Sequence, residues 1–374
     1  MTEPIKSSQQ VIKESNMKMV FGLINKHGEI SRADLKKITR LSATTVSSLV
    51  EELIADGYVC EGGIKTTHTS GRKAVLLHVR PDGGYFIGLD IEKNMIIADT
   101  YGLDFSTVYH EEISVANEEK LASAILRVIK DAAGNRNILG ITLGLPAVID
   151  ASTNVVIAST VLNPEDSVNL YQTVCEAFPS TKISIKNNSG LIAYAEKEYG
   201  GHGEVRNLVS VDIDKGVGAG IILDGVILNG AYGMAGEFGH ISVDYNGKRC
   251  KCGNYGCLEL TASIPAILEK TNSSSLDELI RKLDAGDKEI LDIIDDTAKA
   301  LAFGINNIAN IIDPELIVIG GPIRALGNYL LAPIQKYIEE ISLICDKVVE
   351  FSTLTKNAVT LGGARVLFDE MFGL

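Results

Sequence analysis

Between Gly236 and Glu259 the chain reads GEFGHISVDYNGKRCKCGNYGCLE, and no other segment constrains its fold as tightly. One histidine and three cysteines (His240, Cys250, Cys252, Cys257) sit in a glycine-punctuated stretch bounded by two carboxylates, Glu237 and Glu259. Three thiolates and one imidazole make a closed tetrahedral donor set for Zn²⁺. With every position filled by protein, no vacancy remains for an activated water, so the metal is structural. It would shape a loop, and Glu237 and Glu259 would be what that loop presents. Clustered cysteines can instead form disulfides, but three is an odd number and Cys-x-Cys spacing suits a metal better. Gly253 and Gly256 let the chain wrap a small ion.

At 374 residues the chain is too long for one ordinary core, and 45% hydrophobic with 22% charged residues is a globular composition. No apolar run approaches a membrane span and the N-terminus, MTEPIKSSQQ, is polar, so no membrane partner is expected. Cys60, Cys175 and Cys345 are scattered singly among apolar residues, the pattern of reduced packing thiols and a cytoplasmic setting. Charge is divided unevenly. Residues 1–80 carry 12 Lys/Arg against 8 Asp/Glu, and the remaining 294 carry 23 against 40. A basic module on an acidic body can touch nucleic acid with one part while the other is repelled.

Pattern strengthens that reading. Met17, Val20, Leu23 and Ile24 recur at helical spacing before His27-Gly28. Ser31 N-caps a short helix, with Asp34 completing an imperfect capping box. Ser42 caps a second helix, in which Ala43, Val46, Leu49, Val50, Leu53 and Ile54 form the apolar stripe. Thr44, Thr45, Ser47 and Ser48 fall largely on the opposite face. Two helices joined by a tight turn, the second with small hydroxyl side chains near its start, fit a helix-turn-helix reading double-stranded DNA through Ser42, Thr44, Thr45, Ser47 and Ser48. Tyr58-Val59-Cys60 and Ala74–Leu77 read as the strands of a wing, with Arg72 and Lys73 near its tip in reach of phosphates. A small helical docking domain with a solvated basic loop is the plainer alternative.

From Tyr85 onward short apolar strands alternate with helices. FIGLDI, MIIADT, ILGITLGL, ISIKN, LVSVDI, GAGIILDGVIL and ELIVIGG read as strands; Lys120–Ala133, Gly190–Tyr199 and Asp295–Ile312 read as helices. This is an α/β body with two sheet systems. The turn KGVGAG at 215–220 can bring backbone N–H groups to a phosphate, or be only a hairpin or a close packing point.

These segments together resemble the ROK family (repressor, open reading frame, kinase), and within it the winged-helix, xylose-repressor-like subgroup. The resemblance runs through SGRKAVLLHV, GYFIGLDI, GLPAVID, KGVGAGIILDG, GEFGH with CKCGNYGCLE, and DPELIVIGG. It implies a winged helix over 1–80 and an actin-like (RNase H-like) body with lobes over 81–190 and 191–374. It also implies a homodimer or homotetramer on operator DNA and a small sugar or sugar derivative as effector.

Sugar kinases of this family carry an Asn-Asp pair before a helix, the aspartate serving as general base. Here IKNNSGLIAYAE places Asn187 at the asparagine and Asn188 at the aspartate. An amide cannot take a hydroxyl proton at neutral pH, and loss of a positioned base costs about 10²–10⁴-fold in rate. The family's first phosphate loop is Asp-x-Gly-Gly-Thr-like, whereas Glu92 follows Asp90-Ile91 here, adding a side chain and a like charge. The resemblance therefore implies a sensor without catalytic residues, although a sugar kinase with an accessory DNA-binding domain is the alternative. It assigns sugar contacts to Asn187, Asn188, Glu237, His240 and Glu259, with His240 shared between zinc and sugar. Structural alternatives are a helix-start role for Glu237 and an N-cap role for Asn188.

Overall fold

Helical spacing at the N-terminus yields α1 (Ser8–His27), which buries Val20, Phe21 and Ile24 and stops at Gly28, whose φ is +67°. In this computed structural model the described residues are 8–65, 74–115, 120–159, 164–343 and 348–373. β1 (Ile30–Ser31) leads into α2 (Arg32–Thr39), where the Asp34 N–H donates to Ser31 Oγ at 3.2 Å and Ser31 Oγ donates to Asp34 Oδ2 at 2.7 Å. α3 (Ala43–Ala55) starts from Ser42, whose Oγ accepts the Thr45 N–H at 3.0 Å, and buries Val46, Leu49, Val50 and Leu53. Ala43, grouped with that stripe by spacing, is exposed: it opens the first turn, ahead of the buried residues. β2 (Val59–Lys65) and β3 (Ala74–Val79) pair antiparallel, and β1 adds to β3 through Ile30 and Leu77.

The chain divides into two units: Met1–Leu143 with Asn169–Ser184 and Gly363–Leu374, and Gly144–Val168 with Ile185–Gly362. The first is built on β4 (Tyr85–Ile91), β5 (Met95–Gly102), β6 (Thr107–Ser114), β7 (Ile138–Leu145) and β10 (Lys182–Asn187), in the order β10-β7-β4-β5-β6. α4 (Leu121–Ala133) lays Ala124, Ile125, Val128 and Ile129 into its core. β6 has no counterpart among the strands read from sequence, because TVYHEEIS is an edge strand with mostly exposed side chains and little apolar alternation.

An aromatic cluster joins the N-terminal elements of this unit to the end of the chain. Phe21 of α1 lies 5.8 Å from Phe368 and 4.2 Å from Phe372, and Tyr58 lies edge-on to Phe372 at 5.4 Å. Phe86 and Phe105 pack on Phe368 from the sheet side. Arg365, paired with Asp369 at 2.8 Å, lies over the Phe105 and Phe368 rings.

The second unit begins with the hairpin β8 (Ala147–Asp150) and β9 (Val155–Ser159); α5 (Pro164–Ala177) is next in the chain, its residues from Asn169 onward belonging to the first unit. After α6 (Asn188–Tyr199) its sheet is formed by β11 (Leu208–Ile213), β12 (Val217–Leu223), β13 (Val226–Ile227), β14 (Leu316–Gly320) and β15 (Val348–Phe351). The order is β13-β12-β11-β14-β15, with β11, β14 and β15 parallel and β11, β12 and β13 antiparallel. GAGIILDGVIL is thus two strands: Asp224 (φ +52°) and Gly225 (φ +83°) make the two-residue left-handed turn that hairpins favour.

One face of that sheet packs on α7 (Glu259–Ala262), α8 (Ile264–Lys270), α9 (Leu276–Asp284), α10 (Lys288–Ile312) and α11 (Asn328–Ile341) through one apolar core. α10 starts earlier than its sequence suggested, because Asp287 caps it through the Glu289 and Ile290 N–H groups and Ile290 and Ile294 extend its stripe. α12 (Ala358–Phe372) closes the chain. Each unit thus holds a five-stranded sheet flanked by helices, the α/β organisation expected of an actin-like (RNase H-like) chain. No helix among the described residues is long and apolar enough to cross a membrane.

Candidate functional site

The glycines of KGVGAG face a packing surface. Gly218 and Gly220 of β12, and Gly216 just before it, alternate in sequence and so share one side. A Cβ at Gly220 would lie 1.9 Å from the Ser189 carbonyl oxygen, and one at Gly218 would lie 2.6 Å from Ser189 Oγ, so the first turn of α6 rests directly on the strand. A Cβ at Gly216 would lie 2.8 Å from Glu259 Oε2. The GEFGH segment approaches the same strand: Gly236 (φ +91°) accepts the Ala219 N–H at 3.0 Å, and a Cβ at Gly239 would lie 2.2 Å from the Val217 carbonyl oxygen. Three segments far apart in sequence (187–189, 236–240 and 259) thus converge on residues 216–220, a stretch of about 13 Å at a strand's rise of about 3.3 Å per residue.

Asn187, not Asn188, is the N-cap of α6. Its Oδ1 accepts the Ser189 N–H at 2.8 Å, and its Nδ2 donates to the Ala147 carbonyl at 2.9 Å. Both ends of this amide are therefore engaged with backbone, tying β8 to the helix start. Asn188 is the first helical residue and half-buried. Glu237 is exposed, preceding the short 3-10 turn Phe238–His240 without capping it through its side chain. Glu259 is 14% exposed; Oε2 accepts weakly from the Val217 N–H at 3.4 Å, and Oε1 meets Lys251 Nζ at 3.3 Å. Sequence reading passed over Lys251, although a single cation between two clustered cysteines was visible there.

The donor atoms of His240, Cys250, Cys252 and Cys257 all lie within 4.8 Å of one another. Cys250 Sγ is 3.8 Å from His240 Nδ1, and Cys252 Sγ is 3.6 Å from Cys257 Sγ. These are tetrahedron edges for metal–sulfur bonds of about 2.3 Å, and far too long for a disulfide of about 2.05 Å. Burial, followed by the neighbouring Cys252 and Cys250, pushes the Cys257 thiol up to about 12. A bound divalent cation reverses that balance by coordinating thiolates. The hairpin is pre-shaped: the Cys250 N–H donates to the Asn254 carbonyl at 2.7 Å, and the Asn254 amide nitrogen donates to the His240 carbonyl at 3.0 Å. These residues fit a metal ion, with Nδ1 of His240 toward the sulfurs. Cys60 and Cys175, outside this cluster, are free thiols; Cys345 lies outside the described residues.

At the N-terminal end, Ser42, Thr44 and Ser48 are exposed and Thr45 and Ser47 half-buried at the start of α3. Ser42 Oγ is 2.7 Å from Thr44 Oγ1 and 2.8 Å from Thr45 Oγ1, a local hydroxyl network. Arg72 and Lys73 lie outside the described residues. In place of a glycine loop after β4, Glu92 donates its N–H to the Met95 carbonyl at 2.9 Å in a tight β4–β5 turn.

The model of the ROK family matches residues 86–369. The chain is 29% identical over 390 residues to the xylose repressor of Caldicellulosiruptor bescii, covering 96% of this chain and 97% of that protein. Among solved structures it is similar to a ROK family transcriptional regulator described as a homologue of the Escherichia coli Mlc protein. That likeness has a TM-score of 0.85 at 28% identity, over 96% of this chain and 97% of the other. A ROK family glucokinase from Streptomyces griseus shares the fold at 22% identity and a TM-score of 0.65, over 76% of this chain and 99% of its own. With the family's pattern spanning residues 86–369, the chain belongs to the ROK family.

Proposed function

We propose that this protein is a sugar-responsive transcriptional repressor. One observation carries the reading: similarity to the xylose repressor extends over 96% of the chain, whereas the glucokinase accounts for 76%. The additional part holds the capped α2–α3 pair, the β2–β3 hairpin and the locally basic composition. Residues 1–80 act in this reading as a winged helix-turn-helix domain, with Ser42, Thr44, Thr45, Ser47 and Ser48 toward base edges and Arg72 and Lys73 toward phosphates. Residues 81–374 form a body that reads a small sugar or sugar derivative.

The body senses without catalysing. Asn188 cannot serve as general base, and the Glu92 turn puts a carboxylate where the kinases have glycine. His240, Cys250, Cys252 and Cys257 hold structural Zn²⁺, which fixes the direction of His240. His240, Glu237, Glu259 and Asn188 contact the sugar hydroxyls, with Asn187 holding the helix start in place. A homodimer or homotetramer spaces the winged helices, and the sugar acts by favouring one arrangement of the body.

Binding of the full-length protein to double-stranded DNA across a salt series tests this reading. Affinity should fall linearly in log–log form as salt rises, and no sugar should be phosphorylated by ATP. Absence of duplex affinity at every salt concentration, or ATP-dependent phosphorylation abolished by Glu259→Ala, would sink it.

A further inference from the structure

Lys251 stands between two of the four clustered donors, and its backbone belongs to a closed turn: the Gly253 N–H donates to the Cys250 carbonyl at 3.0 Å. From this anchored position its side chain, 75% exposed, reaches Glu259 Oε1 at 3.3 Å. The other carboxylate oxygen faces Gly216 and the Val217 N–H, so Oε1 is the oxygen left to a ligand. A hydroxyl bonded to Oε1 at about 2.8 Å would lie no more than about 6 Å from the ammonium.

An ammonium only donates. A neutral sugar therefore competes with Lys251 for Oε1, whereas a ligand with its own negative charge gives Lys251 a replacement partner while its hydroxyls take Glu259. The rest of the loop points the same way. Residues 241–258 carry Lys248, Arg249 and Lys251 against Asp244 alone, on a strongly acidic body. Lys248 and Arg249 are exposed and form no ion pair among the described residues.

We propose that Lys251 selects the effector's class: a sugar derivative bearing an anionic group, phosphate or carboxylate, seated between Lys251 and Glu259. The proposal rests on the reading of Glu259 as a sugar contact. It assigns to the CKC segment a second task beyond metal binding.

Calorimetric titration of the full-length, zinc-loaded protein with glucose, glucose 6-phosphate, glucuronate, xylose, xylose 1-phosphate and inorganic phosphate tests it. At least one anionic sugar should bind about 10-fold or more tightly than its neutral parent, a difference of about 1.4 kcal/mol. The preference should weaken with ionic strength, disappear in Lys251→Ala and persist in Lys251→Arg, with zinc content and melting temperature unchanged in both. Phosphate and glucuronate arms separate the two anion sources, and inorganic phosphate binding as tightly as the sugar phosphate would contradict a sugar site. A neutral sugar that binds best and is lost in Glu259→Gln overturns this proposal alone. Failure of every probe to bind overturns the sensing reading with it.

Discussion

Phe21, in the first helix, stacks on Phe372, in the last, with ring centroids 4.2 Å apart and planes at 25°. Phe21 is fully buried and Phe372 is 8% exposed, so the N-terminal helices complete their core with a side chain from the opposite end of the sequence. Truncating a buried phenylalanine to alanine costs about 3–5 kcal/mol, the range expected for Phe372→Ala in denaturant unfolding. A double-mutant cycle with Phe21→Ala should show strong non-additivity, since the rings are in contact. Additive effects would mean that the stack contributes nothing specific.

The glycine at 220 admits the first turn of α6. Gly220→Ala places a methyl 1.9 Å from the Ser189 carbonyl and 2.5 Å from Ala193 Cβ. Overpacking of this kind costs about 1–3 kcal/mol. Because the displaced turn carries Asn188, sugar affinity should fall while duplex affinity stays near wild type. Binding curves for both ligands on one preparation check this.

Glu196 should give the body a pH dependence. Burial raises its pKa, opposed by hydrogen bonding to Ser352 and by His202, whose Nε2 is 3.7 Å from Glu196 Oε2. A carboxyl raised above its unfolded value contributes stability that is fully present below about 4.5 and lost as pH rises through the folded value. Glu196→Gln should therefore flatten the decline in melting temperature on the alkaline side of that window. An unchanged pH profile in this variant would remove Glu196 as its source.

Chelation separates the tasks of the loop. If zinc orients His240 and the hairpin without holding the whole fold, its removal abolishes the sugar response before duplex binding. Cys252→Ser, which alters the most exposed of the three clustered cysteines, should lower bound zinc measured by elemental analysis and reproduce this order. Simultaneous loss of both functions would make the metal a global folding element.

Much of this arrangement was legible in sequence where local chemistry dictates structure. Ser31 and Ser42 were readable as caps because a hydroxyl before an amphipathic run satisfies orphan N–H groups, and the Cys/His cluster because its spacing fits one ion. Elements that depend on distant partners were not. The alternating glycines 216, 218 and 220 admitted both a phosphate loop and a packing point, and only the approach of Ser189 and Glu259 decides for packing. Sequence offered Asn188 as the structural N-cap before GLIAYAE, and backbone geometry gives that role to Asn187 instead. The Phe21–Phe372 stack joins the two ends of the chain, and no local pattern encodes such a pairing.

In the proposed function, a body without a kinase base reads a sugar and reports it to DNA. The most direct measurement is duplex affinity by fluorescence anisotropy, using full-length protein and a duplex selected from a random pool, with and without a sugar that raises its melting temperature. The selected duplex should carry half-sites about one helical turn apart or a multiple of it. Affinity should change by about 5-fold or more on adding the sugar, and neither wild type nor Asn188→Asp should phosphorylate that sugar. Duplex affinity that is indifferent to every stabilising sugar, or sugar phosphate formed by the wild-type protein, would contradict it.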